Sequence, residues 1–505
     1  MLRILGSPRR LCDGWRRRDF LQVGGMGVAG LALADLLRAA EQPRGEAAAT
    51  FGRAKSCILL YLYGSPSQLE TFDVKPAAPL EIRGDLGFIN TAVPGFQIGE
   101  LLPETARVID RTTVVRSMSH PYPVHGIAYA TSGLPDPQGS LEVSPRDPAH
   151  WPFIGSAVDY LAERGDSAPP VVPRNIALPF PLSTRRTNQP NRAGPYAGFL
   201  GPAYDPIWTE FQGEGTKTFA QSNRGVVQEF RDPYAGILPD CSFQLPVASL
   251  HAELTLDRMH RRRSLLGQLD DARRQWDAGQ SGSEQYGTDE RGSALDRHRE
   301  LAFSLLGSRP LREALDVQAE AASVRESYGM TLFGQGALVA RRLVEAGSKV
   351  VSLFWDEYGL ADSAWDTHYQ HFPRMKDELC PSFDRAYSAL ILDLEQRGLL
   401  DETLVLCLSE HGRTPQLNQQ QGGGRDHWSN TYSAIFAGGG FARGKVFGQT
   451  DRVAGEVAAD PVSPKDILAT AYHLLGIDPH TLLHDRLKRP YPLAGSGVVR
   501  HELLA

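Results

Sequence analysis

The chain has 505 residues, 41% of them hydrophobic, enough to bury one large α/β core or two ordinary ones. Its 53 basic and 59 acidic residues leave a net charge of -6. Eight of the arginines fall within the first 49 positions, so the rest is more acidic still, and no nucleic-acid partner is expected.

From the amino terminus, Arg16-Arg17-Arg18-Asp19-Phe20-Leu21 precedes a Gly/Ala-rich apolar run, VGGMGVAGLALADLL. Twin arginines before such a run predict a Tat-type signal over residues 1–49, handled by the Tat export machinery, and a periplasmic or secreted body. An uncleaved N-terminal membrane anchor is the alternative, and membrane contact is expected only through this segment. The body, residues 50–505, is read as one α/β domain. Five cysteines, Cys12, Cys57, Cys241, Cys380 and Cys407, show no CxxC spacing, which argues against a disulfide framework.

Ser56 to Tyr63 predicts a strand buried on both faces, ending in Gly64-Ser65-Pro66-Ser67 with Glu70 and Asp73 close behind. A helix over 101–111 leads to a second strand at 112–117. That strand runs into Met118-Ser119-His120-Pro121-Tyr122-Pro123-Val124-His125-Gly126. A helix opening at Gly126 makes an anion site plausible there, with His125 placed for acid/base work. Residues 135–246 are rich in Pro, Gly and Asn and predict long loops; Arg185, Arg186 and Arg192 within them are candidate anion contacts or solvated side chains. Residues 250–330 are charged and helical in period and predict an insertion. Amphipathic helices over 331–346 and 383–397 each lead into an apolar strand. Later, Thr431-YSAIFAGGG predicts a strand and Ile467-LATAYHLLG a helix. The alternation predicts a doubly wound, mostly parallel sheet flanked by helices.

Three carboxylate–imidazole pairs follow strand-like runs: Asp366 with His368, Glu410 with His411, and Asp426 with His427. Polar residues at the carboxyl ends of such strands face the ligand crevice of open α/β sheets. Carboxylate oxygen and neutral imidazole are ligands for zinc, manganese or calcium, so a divalent metal shared by Asp366, His368, Glu410, His411 and His427 is expected. His371 is read as a solvated helix histidine. Trp365 and Trp428 are packing residues or substrate platforms.

SEHG after the run LVLCL resembles the end-of-strand (S)-D-H-G motif of the alkaline phosphatase/sulfatase superfamily, with Glu410 in place of Asp. More closely, RRDFL, GSPSQLETFDVKP, VRSMSHPYPVHG, ARRLVEAG, WDTH, SEHGRTP and GRDHW resemble a Tat-exported, sulfatase-like family, domain of unknown function 1501. That resemblance implies an alkaline-phosphatase-like fold and an exported metal-dependent hydrolase of a phosphate or sulfate ester, acting on a small molecule or carbohydrate. The alternative it leaves is a non-catalytic envelope or carbohydrate-binding protein with a degenerate site. It implies one metal on Asp366, His368 and His427, another on Glu410 and His411 with Asp73 or Glu70, and anion contacts from Arg413 and Lys445. The nucleophile stays open among Ser119, Ser117, His125 and water, because no cysteine stands in a C-x-P-S-R setting.

Overall fold

The computed structural model describes residues 49–134, 139–165, 170–186, 190–223, 226–245, 305–359 and 363–505, with scattered positions between 261 and 302. The chain divides into Met1–Phe51 and Gly52–Ala505. The expected export signal, residues 1–49, lies outside the described residues apart from Ala49. No helix among the described residues is long and apolar enough to cross a membrane.

The second unit is built on an eight-stranded sheet. In chain order its strands and the elements around them are β1 (Ser56–Leu62), β2 (Thr112–Met118), α1 (Ile127–Thr131), α2 (Ile154–Gly165), β3 (Asn175–Leu178) and β4 (Ile207–Trp208). Then follow α3 (Leu332–Glu345), β5 (Val350–Trp355), α4 (Cys380–Gln396), β6 (Thr403–Leu408), β7 (Gly412–Arg413), β8 (His427–Trp428), β9 (Tyr432–Ala437), β10 (Lys445–Phe447) and α5 (Pro464–Leu474). The sheet order is β10-β2-β9-β6-β1-β5-β3-β4, and β7 and β8 form a separate small hairpin. β1 lies at the centre, parallel to β5 on one side and β6 on the other. Only β9 runs antiparallel to its neighbours, β6 and β2, so the sheet is mostly parallel as the alternating pattern predicts.

The central strands are apolar on both faces because both are covered. All seven residues of β1 and all six of β5 and β6 are buried. α3 packs against β1 and β5, and α4 packs on α3. Local chemistry sets where these helices start. Thr331 caps α3 by accepting the Gly334 N–H, and Ser463 with Asp466 forms a reciprocal capping box on α5, followed by Pro464. α4 starts three residues before the expected Phe383, since Pro381 fits its first turn.

Most of residues 250–330 lies outside the described residues; its last part, with Leu311, Val317 and Tyr328 wholly buried, joins the main core. The loop-rich stretch 135–246 contributes α2, β3 and β4, besides a two-stranded ribbon over Gly215–Asn223 and Val226–Ile237. Cys57, Cys241, Cys380 and Cys407 are free and buried.

Candidate functional site

The carboxyl ends of β1, β2, β5 and β6 deliver their following residues to one place. β1 ends in Tyr63-Gly64-Ser65, where the superfamily resemblance would put an aspartate. Glycine is required here: a Cβ on Gly64 would lie 2.2 Å from the Asp366 nitrogen, and the residue sits at φ 90. The loop after β5 thus passes directly over the end of β1 and brings Asp366 to the centre.

Around Asp366 four imidazoles converge. Its Oδ1 lies 3.1 Å from His368 Nε2 and 3.2 Å from His427 Nε2, and these two nitrogens are 3.1 Å apart. Its Oδ2 lies 3.2 Å from His125 Nε2. The His411 and His427 rings are 4.4 Å apart between centroids, and the His125 and His427 rings 4.3 Å. On the far side of His125, Nδ1 meets Glu410 Oε1 at 2.9 Å, and the same oxygen accepts the Gly64 N–H at 2.8 Å. His120 Nε2 donates to the Glu410 carbonyl at 2.6 Å, fixing the end of β6 against the end of β2.

His427 arrives on the β7–β8 hairpin through the Gly-rich loop of residues 422–424. A Cβ on Gly424 would lie 1.8 Å from the His368 carbonyl oxygen, so only glycine lets this loop dock on the WDTH segment. His368 is then oriented by Asp426, whose Oδ1 lies 2.8 Å from Nδ1. His368 and His427 keep 31% and 22% of their side chains exposed, so the cluster opens to solvent on that side.

Two sets of donor atoms have metal-ligand spacing: Asp366, His368 and His427, and His125, His411 and His427. Tetrahedral ligands about 2.0–2.1 Å from zinc lie roughly 3.3 Å from one another, close to the separations in the first set. His411 supplies a further test. Its Nδ1 donates to the Gly412 carbonyl at 2.8 Å, while Nε2 is buried without a hydrogen-bond partner. A buried nitrogen lone pair with nothing to accept is costly unless something binds it. The residues fit a divalent ion.

Burial and the neighbouring charges set the protonation states of the cluster. Burial pushes the Asp366 carboxyl up, but Arg413, His125 and His368 override it and hold the group well below the usual carboxylate range. Burial, followed by the neighbouring His427, His125 and Arg413, holds His411 neutral. Burial likewise lowers His427. For His125 burial is outweighed by the Asp366 and Glu410 carboxylates, which raise it to about 9. An imidazolium between two carboxylates is what a metal-free site uses to balance its charge.

Several expected residues sit elsewhere. Arg413 was expected at the anion; instead it is fully buried beneath the cluster. Its Nε donates to Ser65 O and its Nη1 to Arg425 O, while Nη2 donates to Gly64 O, Trp365 O and Asp366. With all three nitrogens engaged, it clamps the site from below. Asp73 is not brought to the cluster: Thr450, Lys75 and Arg116 surround it. Lys445 pairs with Thr113 at the opposite end of β2. Ser119, half-buried at the exit of β2, donates its backbone N–H to Val462, and Ser117 Oγ donates to the Asp460 carbonyl at 2.5 Å. Arg185 pairs with Glu210, Arg186 with Glu357, and Arg192 with Glu142. Trp365 packs edge-on to Trp355 and Phe383, and Trp428 donates to Gly455 O at 2.6 Å. His371 is wholly buried rather than solvated.

Residues 54–504 match the family described as "Protein of unknown function (DUF1501)". The chain belongs to this family. No curated protein matches the sequence. Among solved structures it is similar to the PsFucS1 sulfatase from Pseudoalteromonas sp., at 12% identity and a TM-score of 0.39, and to Ps i-CgsB at a TM-score of 0.36. The PsFucS1 likeness covers 92% of this chain and 76% of that one; the Ps i-CgsB likeness covers 84% and 72%, also at 12% identity. The phosphonate monoester hydrolase SpPMH from Silicibacter pomeroyi is similar at 11% identity and a TM-score of 0.32, covering 89% of this chain and 76% of that one.

Proposed function

We propose that this member of the DUF1501 family is an exported, metal-dependent hydrolase of a phosphate or sulfate ester carried by a small molecule or carbohydrate. The observation that carries the reading is the convergence of four imidazoles and Asp366 at the strand ends, with the buried Nε2 of His411 left unbonded. Asp366, His368 and His427 would hold one ion; His125 and His411 would add a second set that shares His427. A donor set dominated by imidazole suits zinc better than manganese or calcium, which prefer oxygen-rich shells. When bound, such an ion lowers the pKa of a water and neutralises charge on the ester oxygens.

The protein's own groups divide the remaining work. Arg413 fixes the Asp366 carboxylate from the buried side. In the metal-free protein His125 holds its proton between Asp366 and Glu410, which places it to donate to the departing oxygen. As a ligand in the second set His125 would have to be neutral, so it would hold either the ion or the proton. The Ser117 hydroxyl is committed to the Asp460 carbonyl, which leaves Ser119, His125 and water as candidates for the attacking group.

Metal per protein chain in wild type and His427→Ala tests the reading, together with hydrolysis of aryl phosphates and aryl sulfates. At least one zinc or manganese in wild type, falling to background in His427→Ala along with hydrolysis, is expected. Metal-free wild type sinks the proposal. Metal bound without hydrolysis of any ester moves the assignment to a non-catalytic envelope or carbohydrate-binding protein. Export rests on RRDFL before the apolar run. A folded reporter fused to residues 1–49 should lose export when Arg17 and Arg18 become Lys.

A further inference from the structure

Asp366 and His368 sit on a segment with no regular secondary structure, yet their donor atoms are held to hydrogen-bond precision. The residue between them shows how. The Thr367 hydroxyl lies 2.7 Å from His371 Nδ1, and the Thr367 carbonyl accepts the Arg425 N–H at 3.1 Å. His371 Nε2 lies 3.2 Å from Glu70 Oε2. Glu70 in turn receives the Arg425 guanidinium on both oxygens, at 3.1 Å for Nε on Oε2 and through Nη2 on Oε1. The ring closes because the Arg425 carbonyl accepts from Arg413, which holds Asp366. Glu70, Thr367, His371 and Arg425 are each at most 3% exposed.

We infer that Glu70, His371 and Thr367 form a positioning relay that sets the Asp366–His368 segment for the cation, resting on the metal-site reading above. The relay joins three distant parts of the chain: the loop after β1, the loop after β5 and the loop before β8. Burial keeps His371 neutral, so one ring nitrogen carries a proton and the other a lone pair. The Thr367 hydroxyl donates to Nδ1, which leaves the proton on Nε2, 3.2 Å from Glu70 Oε2 at ion-pair distance but outside hydrogen-bond geometry. Without the hydroxyl, Thr367 keeps its volume but loses its hold on the ring, and the two ligands that flank it lose their fixed direction. Groups that orient ligands in this way are typically worth about 10- to 100-fold in metal affinity.

Thr367→Val in the full chain isolates this effect, because it removes the hydroxyl and preserves size. Zinc affinity, read by competition with a chromophoric chelator, should fall about tenfold or more, while the metal-free protein stays folded with a modestly lowered melting temperature, because His371 Nδ1 loses its donor. Thr367→Ser should restore the affinity. His371→Gln should cost as much as Thr367→Val, and the double variant no more than either, since both break one connection. A purely structural role would lower melting temperature and leave zinc affinity where it was, which would overturn the inference. If Thr367→Val does not fold, the comparison of His371→Gln with wild type is decisive on the same readout. Zinc held equally by wild type and variants removes the relay and leaves the hydrolase reading standing. Wild type that holds no zinc and no manganese removes that reading first, and the relay with it.

Discussion

Two buried clusters of the same residue types meet at Thr367 and behave in opposite ways. In the Glu70–His371–Arg425 cluster the carboxylate faces a guanidinium and an imidazole, and burial, though it opposes ionisation, is outweighed by Arg425 and His371, which hold Glu70 at about 2. Its charges are matched within the protein. In the cluster around Asp366 the imidazoles outnumber the carboxylates, His411 Nε2 has no partner, and His368 and His427 reach solvent. The first arrangement is closed and structural; the second is open and has coordination to offer. Residue type alone does not separate a structural ion pair from a ligand set. What separates them is whether the lone pairs are already engaged.

That contrast is sharpened most by removing a charge from the closed cluster. Arg425→Met would leave Glu70 buried without its partner and should cost about 3–5 kcal/mol, read from urea unfolding of metal-free protein. A loss below about 1 kcal/mol would show that the cluster is not sealed.

The open cluster should respond to pH instead. The folded protein raises His125 from 6.5 to about 9, so its contribution is fully present below pH 6.5 and is lost as pH rises from 6.5 through 9. The drop in metal-free protein should be on the order of 3 kcal/mol and should vanish in His125→Gln. Stability that is flat across that window would contradict the imidazolium bridge.

Next in size is His411→Leu. Only one hydrogen bond of the ring, to Gly412, is lost, so metal-free stability should move by about 1 kcal/mol or less in either direction while bound metal declines. A large destabilisation without metal would mean that His411 is structural. The smallest effect belongs to the surface: Lys55 and Glu402 pair at 2.6 Å with 70% and 49% of their side chains exposed. Glu402→Gln should change stability by roughly 0.2–1 kcal/mol and leave metal content untouched.

How much of this was legible without coordinates varies by residue. Asp366, His368, His411 and His427 were found from their place after apolar runs, and all four are in the cluster. Glu410, expected as a ligand, stands in neither donor set and meets His125 and Gly64 instead. His125 reads as an acid/base group from its place before the helix at Gly126, but its partner is not legible, because Glu410 stands 285 residues away and no local pattern links a loop after β2 to the end of β6. Arg413 looked like an anion contact because SEHGR puts it beside the histidines. Its guanidinium is instead taken up by the Gly64, Ser65, Trp365 and Arg425 carbonyls and by Asp366, which come from distant segments. His371 looked solvated because it lies three residues after His368. Its partners Glu70 and Arg425 are 355 residues apart in the chain, so the closed cluster has no sequence signature.

By itself, the sequence determined the central sheet, through runs apolar on both faces, and the helix starts, through caps at Thr331 and Ser463. It also determined which strand ends carry acids and imidazoles, because these are local properties of spacing and side-chain type. Tertiary structure alone decided which of those groups face each other and which are already matched. Donor direction and burial come from contacts between segments hundreds of residues apart, and from close approaches such as Gly64 beneath Asp366, where a single Cβ would separate them.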